Sequence, residues 1–146
     1  LGLGLFDQEN IFTPATEAVK PKESILKGGM TLDQLGGILA AHGVTVDVHH
    51  AGDVDLDAFR DAAVAAIGDG DHYVLVNYLR KAMGQEAGGH ISPLAAYDAD
   101  TDRFLILDVS QYKYPPVWVG SEALFAAMDT VDSEEGKTRG YLLVSR

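Results

Sequence analysis

Apolar residues recur at helical spacing at Leu32, Leu35, Ile38 and Leu39. Thr31 stands at the N-cap, Gln34 completes a capping-box pattern, and Gly43 is placed to close the end. Gly36 and Gly37 inside this helix weaken it and mark close packing. The alternating "VTVDVHH" predicts a strand. A second helix follows in "DVDLDAFRDAAVAAIGDG", with Leu56, Phe59, Ala63 and Ile67 on one stripe. "HYVLVNYL" predicts an apolar strand, "RKAMGQEAGG" a polar loop, and "HISPLAAYDADTDRFLILDV" a strand, turn and strand. "QYKYPPVWVG" reads as irregular, Ser121 as the cap of a short helix "EALFAAMDTV", and "TRGYLLVSR" as a last strand. Residues 1–29 show little periodicity and read as loop with short helical pieces, such as one around Thr16 to Val19. The order predicts one α+β domain with an antiparallel sheet flanked by helices.

Composition narrows the function classes. The 146 residues are 47% hydrophobic and carry a net charge of −11, which argues against nucleic acid and anionic membranes as partners. No apolar run approaches the roughly 20 residues of a membrane-spanning helix, and no signal-peptide pattern opens the chain. The absence of cysteine removes disulfides and thiolate metal sites, and leaves the redox compartment open. A cytoplasmic setting is favoured, and a periplasmic one fits if a leader is removed. The first residue is Leu1, which suggests a domain cut from something longer.

The candidate chemistry lies in the predicted hairpin. A register pairing Tyr97 with Arg103 sets His90 opposite Ser110, with Asp108 its diagonal neighbour on the same face, roughly 7–8 Å away along the backbone. A single-residue bulge would part them. A carboxylate on one imidazole nitrogen fixes the tautomer and leaves the other to take a proton from a nucleophile. The same residues also read structurally, as a strand-end cap and a half-buried loop histidine. Ser92 shares the His90 face but reads as structural. His49 and His50 point to opposite faces and read as a solvated strand end, and His42 and His72 are isolated. The Gly88–Gly89 pair precedes a strand and is no phosphate loop.

"NYLRKAMGQEAGGHISPLAAYDADTDRFLILDVSQYKYPPVWV", with "QENIF", "GMTLDQLGGILAAHGV", "AMDTVDS" and "KTRGYLLVSR" in order, resembles the phytochelatin synthase family of papain-like cysteine transpeptidases and peptidases over essentially the whole chain. The short bacterial and cyanobacterial forms are the most similar. The resemblance implies a papain-like fold, of which these residues form mainly the sheet lobe, the C-terminal part of the catalytic domain. It implies His90 as catalytic histidine and Asp108 as the aspartate orienting it. Arg80, Gly89, Asp132 and Arg139 are implied to bind substrate, the last two holding a γ-glutamyl head. Without the family, Arg80, Asp132 and Arg139 read as surface ion pairs. The family's cysteine nucleophile and oxyanion glutamine belong to a segment before "QENIF". A truncated or nicked product, one piece of a split protein, or a pseudoenzyme would each explain a chain without them, the first being preferred.

The implied partners are glutathione, γ-Glu-Cys peptides and the Cys-bearing N-terminal segment. An exposed lobe face would also drive self-association into a homo-oligomer. No cofactor is expected on the chain itself: heavy metals such as Cd²⁺ and Zn²⁺ enter as thiolate complexes of the substrate or as activators in the family. The implied activity is γ-glutamylcysteinyl transfer from glutathione, or its hydrolysis. The competing readings are a non-catalytic γ-glutamyl-binding module and a metal-dependent hydrolase using His90 and Asp108 as ligands.

Overall fold

A computed structural model describes residues 4–146; Leu1, Gly2 and Leu3, part of the stretch read as loop, lie outside the described residues. Its helices are α1 (Pro14–Val19), α2 (Lys22–Gly28), α3 (Leu32–Ala40), α4 (Leu56–Asp69) and α5 (Ser121–Met128). Its strands are β1 (Thr45–His50), β2 (Tyr73–Leu79), β3 (Gly89–Asp98), β4 (Arg103–Ile106), β5 (Val117–Gly120) and β6 (Gly140–Ser145). They form one six-stranded antiparallel sheet in the order β1-β6-β2-β3-β4-β5. This is the expected α+β architecture, consistent with a papain-like sheet lobe.

Local chemistry sets the helix ends. The Thr31 hydroxyl accepts from the Gln34 backbone N–H, and the Gln34 side chain accepts from the Thr31 N–H, closing the anticipated capping box. Thr13 and Thr16 do the same at α1, where Pro14 occupies a position that has no hydrogen bond to lose. Asp55 caps α4, and Gly70 ends it in the left-handed region at φ 75°. Ser121 is not the cap expected of it. Gly120 holds that position without a side-chain bond, and the Ser121 hydroxyl donates to Asp102 instead.

The sheet buries both faces. Even-numbered β2 residues Val74, Val76 and Tyr78 pack with Phe59 and Ala63 of α4, Leu124 of α5, Phe104, Ile106 and Tyr141. On the other face Leu142, Val144 and Leu75 meet Leu32 of α3. The glycine pair in α3 does mark close packing. A Cβ on Gly36 would stand 3.0 Å from the Val48 side chain of β1, and one on Gly37 would stand 3.0 Å from Val19 of α1.

The hairpin register differs by one residue from the expectation. Tyr97 pairs with Phe104 and Asp98 with Arg103, so the turn is tighter than a Tyr97–Arg103 pairing requires. An irregularity between Leu94 and Ala96 then takes up one residue, and Leu94 pairs with Ile106 as the expected register demands. The bulge that should have separated His90 from Asp108 therefore restores their alignment, because it cancels the offset at the turn. Beyond Ile106 the chain leaves the regular ladder, although the Leu107 N–H still donates to the Pro93 carbonyl at 3.0 Å.

Candidate active site

Asp108 is the buried hub. Its side chain has no exposed surface. One oxygen, Oδ1, accepts from Arg80 Nη2 at 2.9 Å, from the Ser110 backbone N–H at 2.8 Å and faces His90 Nε2 at 3.1 Å. The other, Oδ2, accepts from Arg80 Nη1 at 2.7 Å. Burial works to raise this carboxyl, but the hydrogen bonds from Arg80 and Ser110 outweigh it and hold it below the ordinary carboxylate range. An ionised Asp108 can only accept, so His90 Nε2 must carry the hydrogen and Nδ1 is left as the basic nitrogen.

His90 sits at the start of β3 opposite Tyr78 of β2, whose ring meets it edge-on at 5.8 Å. Burial, then the charge of Arg80, pushes the imidazole below its ordinary value, and Asp108 only partly offsets them. Both effects favour the neutral ring, the state a general base requires.

Arg80 begins a single 3-10 turn, Arg80–Met83, directly after β2. The turn folds back because the Arg80 N–H donates to the Gly88 carbonyl and the Gln85 N–H to the Arg80 carbonyl. The guanidinium also donates to Gln85 Oε1 and lies over the Tyr114 ring at 4.6 Å from its centre. Tyr114 in turn accepts from the Glu86 N–H. Surface ion pairing does not describe this residue: it is buried, and its bidentate bond to Asp108 is the central contact under the histidine.

A cleft of about 420 Å³ opens beside His90, bordered by Asn77, Gly89, Asp132, Ser133 and Arg139. Arg139 is also buried rather than on the surface. Nη1 donates to the Val131 carbonyl at 2.8 Å and to the Thr130 hydroxyl at 3.1 Å, while Nη2 lies 3.9 Å from Asp132. Its Nε is buried with no acceptor among the described residues. Gly89 makes room for this group: a Cβ there would stand 2.9 Å from Arg139 Nε. Gly89→Ala is accordingly expected to displace the guanidinium while leaving the fold intact. Thermal melting checks that the fold survives, and the ¹⁵N shift of Arg139 Nε reports the displacement; a shift unchanged from the wild type would contradict this close approach.

All six residues anticipated from the sequence thus gather at one place, His90, Asp108 and Arg80 in one hydrogen-bonded set and Gly89, Asp132 and Arg139 along the adjoining cleft. The phytochelatin synthase family model matches residues 3–141. The chain belongs to the phytochelatin synthase family. It is 34% identical over 130 residues to glutathione gamma-glutamylcysteinyltransferase 3 of Lotus japonicus, covering 89% of this chain and 27% of that protein. It is 32% identical over 130 residues to glutathione gamma-glutamylcysteinyltransferase 2 of Arabidopsis thaliana, covering 89% and 29%. With the glutathione gamma-glutamylcysteinyltransferase of Schizosaccharomyces pombe the identity is 30% over 120 residues, covering 82% and 29%. The chain therefore spans less than a third of the length of these curated relatives.

Within this family frame, Ser92 has the structural part expected of it, buried with its Oγ accepting from the Val109 N–H at 3.4 Å. Gln85 and Tyr114, which fix Arg80, carry no pattern that singles them out. His50 departs from expectation. It is no solvated strand end: its ring is largely buried between Asp33 and the Thr138 carbonyl.

Proposed function

We propose that the chain supplies the histidine and aspartate of a Cys-His-Asp site that transfers the γ-glutamylcysteinyl group of glutathione. The observation that carries this reading is His90, its Nε2 tied to a buried aspartate and its ring bordering a cleft that also holds an acid and a base.

In this reading Asp132 faces the α-amine of the γ-glutamyl head and Arg139 its α-carboxylate. The chain contains no cysteine, so the sulfur nucleophile comes from outside these residues. His90 Nδ1 takes the thiol proton, and the thiolate attacks the carbonyl of the Cys–Gly amide. As the C–N bond breaks, His90 returns the proton to the departing glycine amine, leaving a γ-Glu-Cys thioester. Water then yields γ-Glu-Cys, or the amine of a second glutathione yields a longer peptide. Asp108 holds the hydrogen on Nε2 and supports the positive ring once Nδ1 is protonated, and Arg80 holds Asp108. Soft metal ions enter as thiolate complexes of the substrate, since this chain offers them no sulfur.

The test is release of glycine from glutathione, with and without EDTA. The chain alone is expected to release none, and addition of the cysteine-bearing segment of a relative to restore release. His90→Ala should abolish the restored activity. EDTA-sensitive release by the chain alone would instead favour a metal-dependent hydrolase and overturn the reading.

A further inference from the structure

Asp33, His50 and Glu135 converge at a second place, where the hairpin that carries Asp132 meets α3 and β1. Asp33 lies in the first turn of α3, His50 ends β1, and Glu135 sits in the turn closed by the Val131–Thr138 bridge. One potential ligand atom from each lies within 4.8 Å of the others. We propose that these three side chains form a divalent-cation site, best matched to Zn²⁺, that ties the Val131–Thr138 hairpin to α3 and β1.

Two features go beyond mere proximity. The first is the orientation of His50. Its Nδ1 lies 2.5 Å from the Thr138 carbonyl, which can only accept, so Nδ1 carries a hydrogen and Nε2 is the nitrogen turned to the cluster, where it donates to Asp33 Oδ1 at 2.9 Å and would give up that proton to an ion. A backbone carbonyl on the far nitrogen is how a ligating imidazole is usually aimed. The second is Glu135. Its Oε2 is buried and receives no hydrogen bond, although the carboxyl faces Asp33.

Two carboxylates thus share one small space, and Lys137 is the cation beside them. Its Nζ is 2.5 Å from Asp33 Oδ2 but 3.9 Å from Glu135 Oε1, so it serves the first far better than the second. The lysine is half exposed and free to swing into solvent when a doubly charged ion enters. Ligand bonds of about 2.0–2.2 Å need the three groups to close only slightly around an ion. One imidazole and two carboxylates, without sulfur, suit borderline Zn²⁺ better than soft Cd²⁺ or hard Mg²⁺. The same hairpin carries Asp132 and leads to Arg139; that an ion here would stiffen the substrate cleft rests on the functional reading above, whereas binding itself does not.

Isothermal titration of the EDTA-stripped chain with zinc sulfate tests the site without glutathione. The wild type is expected to take up one ion saturably. His50→Gln and Glu135→Gln should each weaken binding at least tenfold, and Lys137→Met, which removes the competing ammonium, should tighten it several-fold. Thermal midpoints should rise with zinc in the wild type and Lys137→Met. Absence of saturable uptake by the wild type would overturn the proposal, as would affinity unchanged in both ligand variants. Lys137→Met alters only a half-exposed side chain and keeps the test decisive if a ligand variant does not fold: weaker or unchanged zinc binding in it also counts against the site.

Discussion

Replacing Arg80 with methionine is expected to cost about 3–5 kcal/mol of folding stability, far more than its charge alone would suggest. The substitution leaves Asp108 buried with two of its four hydrogen-bonding contacts gone. Arg80→Lys should recover only part of the loss, because a point charge cannot reproduce the two-pronged contact. The pH dependence gives a second signature. Asp108 titrates below its ordinary value in the folded chain, so its contribution is present above roughly pH 4 and disappears as pH falls through the folded-state value. His90 also titrates below its ordinary value, so acidification below about pH 6.5 favours the unfolded state, which takes the proton more readily. Removing Arg80 relaxes both: the carboxyl rises, and the imidazole, freed of a nearby positive charge, rises too. Urea denaturation across pH 2–8 should therefore show a lower and flatter stability profile for Arg80→Met. A loss below about 1 kcal/mol would mean that Arg80 is an ordinary surface pair.

Gly140→Ala should be at least as damaging, for a reason that has nothing to do with charge. Gly140 lies in β6 opposite His50, and an added Cβ would stand 1.9 Å from the His49 carbonyl oxygen and 2.9 Å from the His50 Cα. These are backbone atoms of a paired strand and cannot rotate away. Relief requires β1 to peel from β6, which uncovers the Leu142 and Val144 face under α3. A loss of about 3 kcal/mol or more is expected, at the upper end for overpacking. Hydrogen exchange should locate it in β1, with faster exchange from Val46 to His50 than in β3. Gly89→Ala is the contrasting case. Its nearest neighbour is the end of a long side chain, so the Arg139 guanidinium should move while stability holds. Wild-type stability and β1 protection in Gly140→Ala would refute the close approach.

The contrast between these glycines illustrates what was legible in the sequence. Capping residues placed α3 well, because Thr31 and Gln34 act over one helical turn, and the apolar stripe from Leu56 to Ile67 placed α4. The helix α2 was not delimited within the stretch read as loop with short helical pieces: Pro21 occupies its N-cap without a side-chain bond, and its residues Lys22–Gly28 include none that is buried. The strand β5 was hidden by Pro115 and Pro116, which suggest irregular backbone, yet Val117–Gly120 pairs fully with β4. In the hairpin, the right neighbours were reached through a wrong register, because "DADTD" fits turns of more than one length and a bulge leaves no residue signature of its own. The fold-back that aims Arg80 at Asp108 depends on Gln85, Gly88 and Tyr114, all beyond the reach of local pattern. Likewise Asp33, His50 and Glu135 are brought together only by the sheet order, which sets β1 beside β6.

The tautomer of His90 is the most direct measure of the claim that its Nδ1 is a base aimed by Asp108. Long-range ¹H–¹⁵N correlation at pH 7 on the ring-labelled chain should show Nε2 protonated and Nδ1 bare, with this pattern lost in Asp108→Ala. A ring that carries its proton on Nδ1, or is already doubly protonated at that pH, would contradict the account.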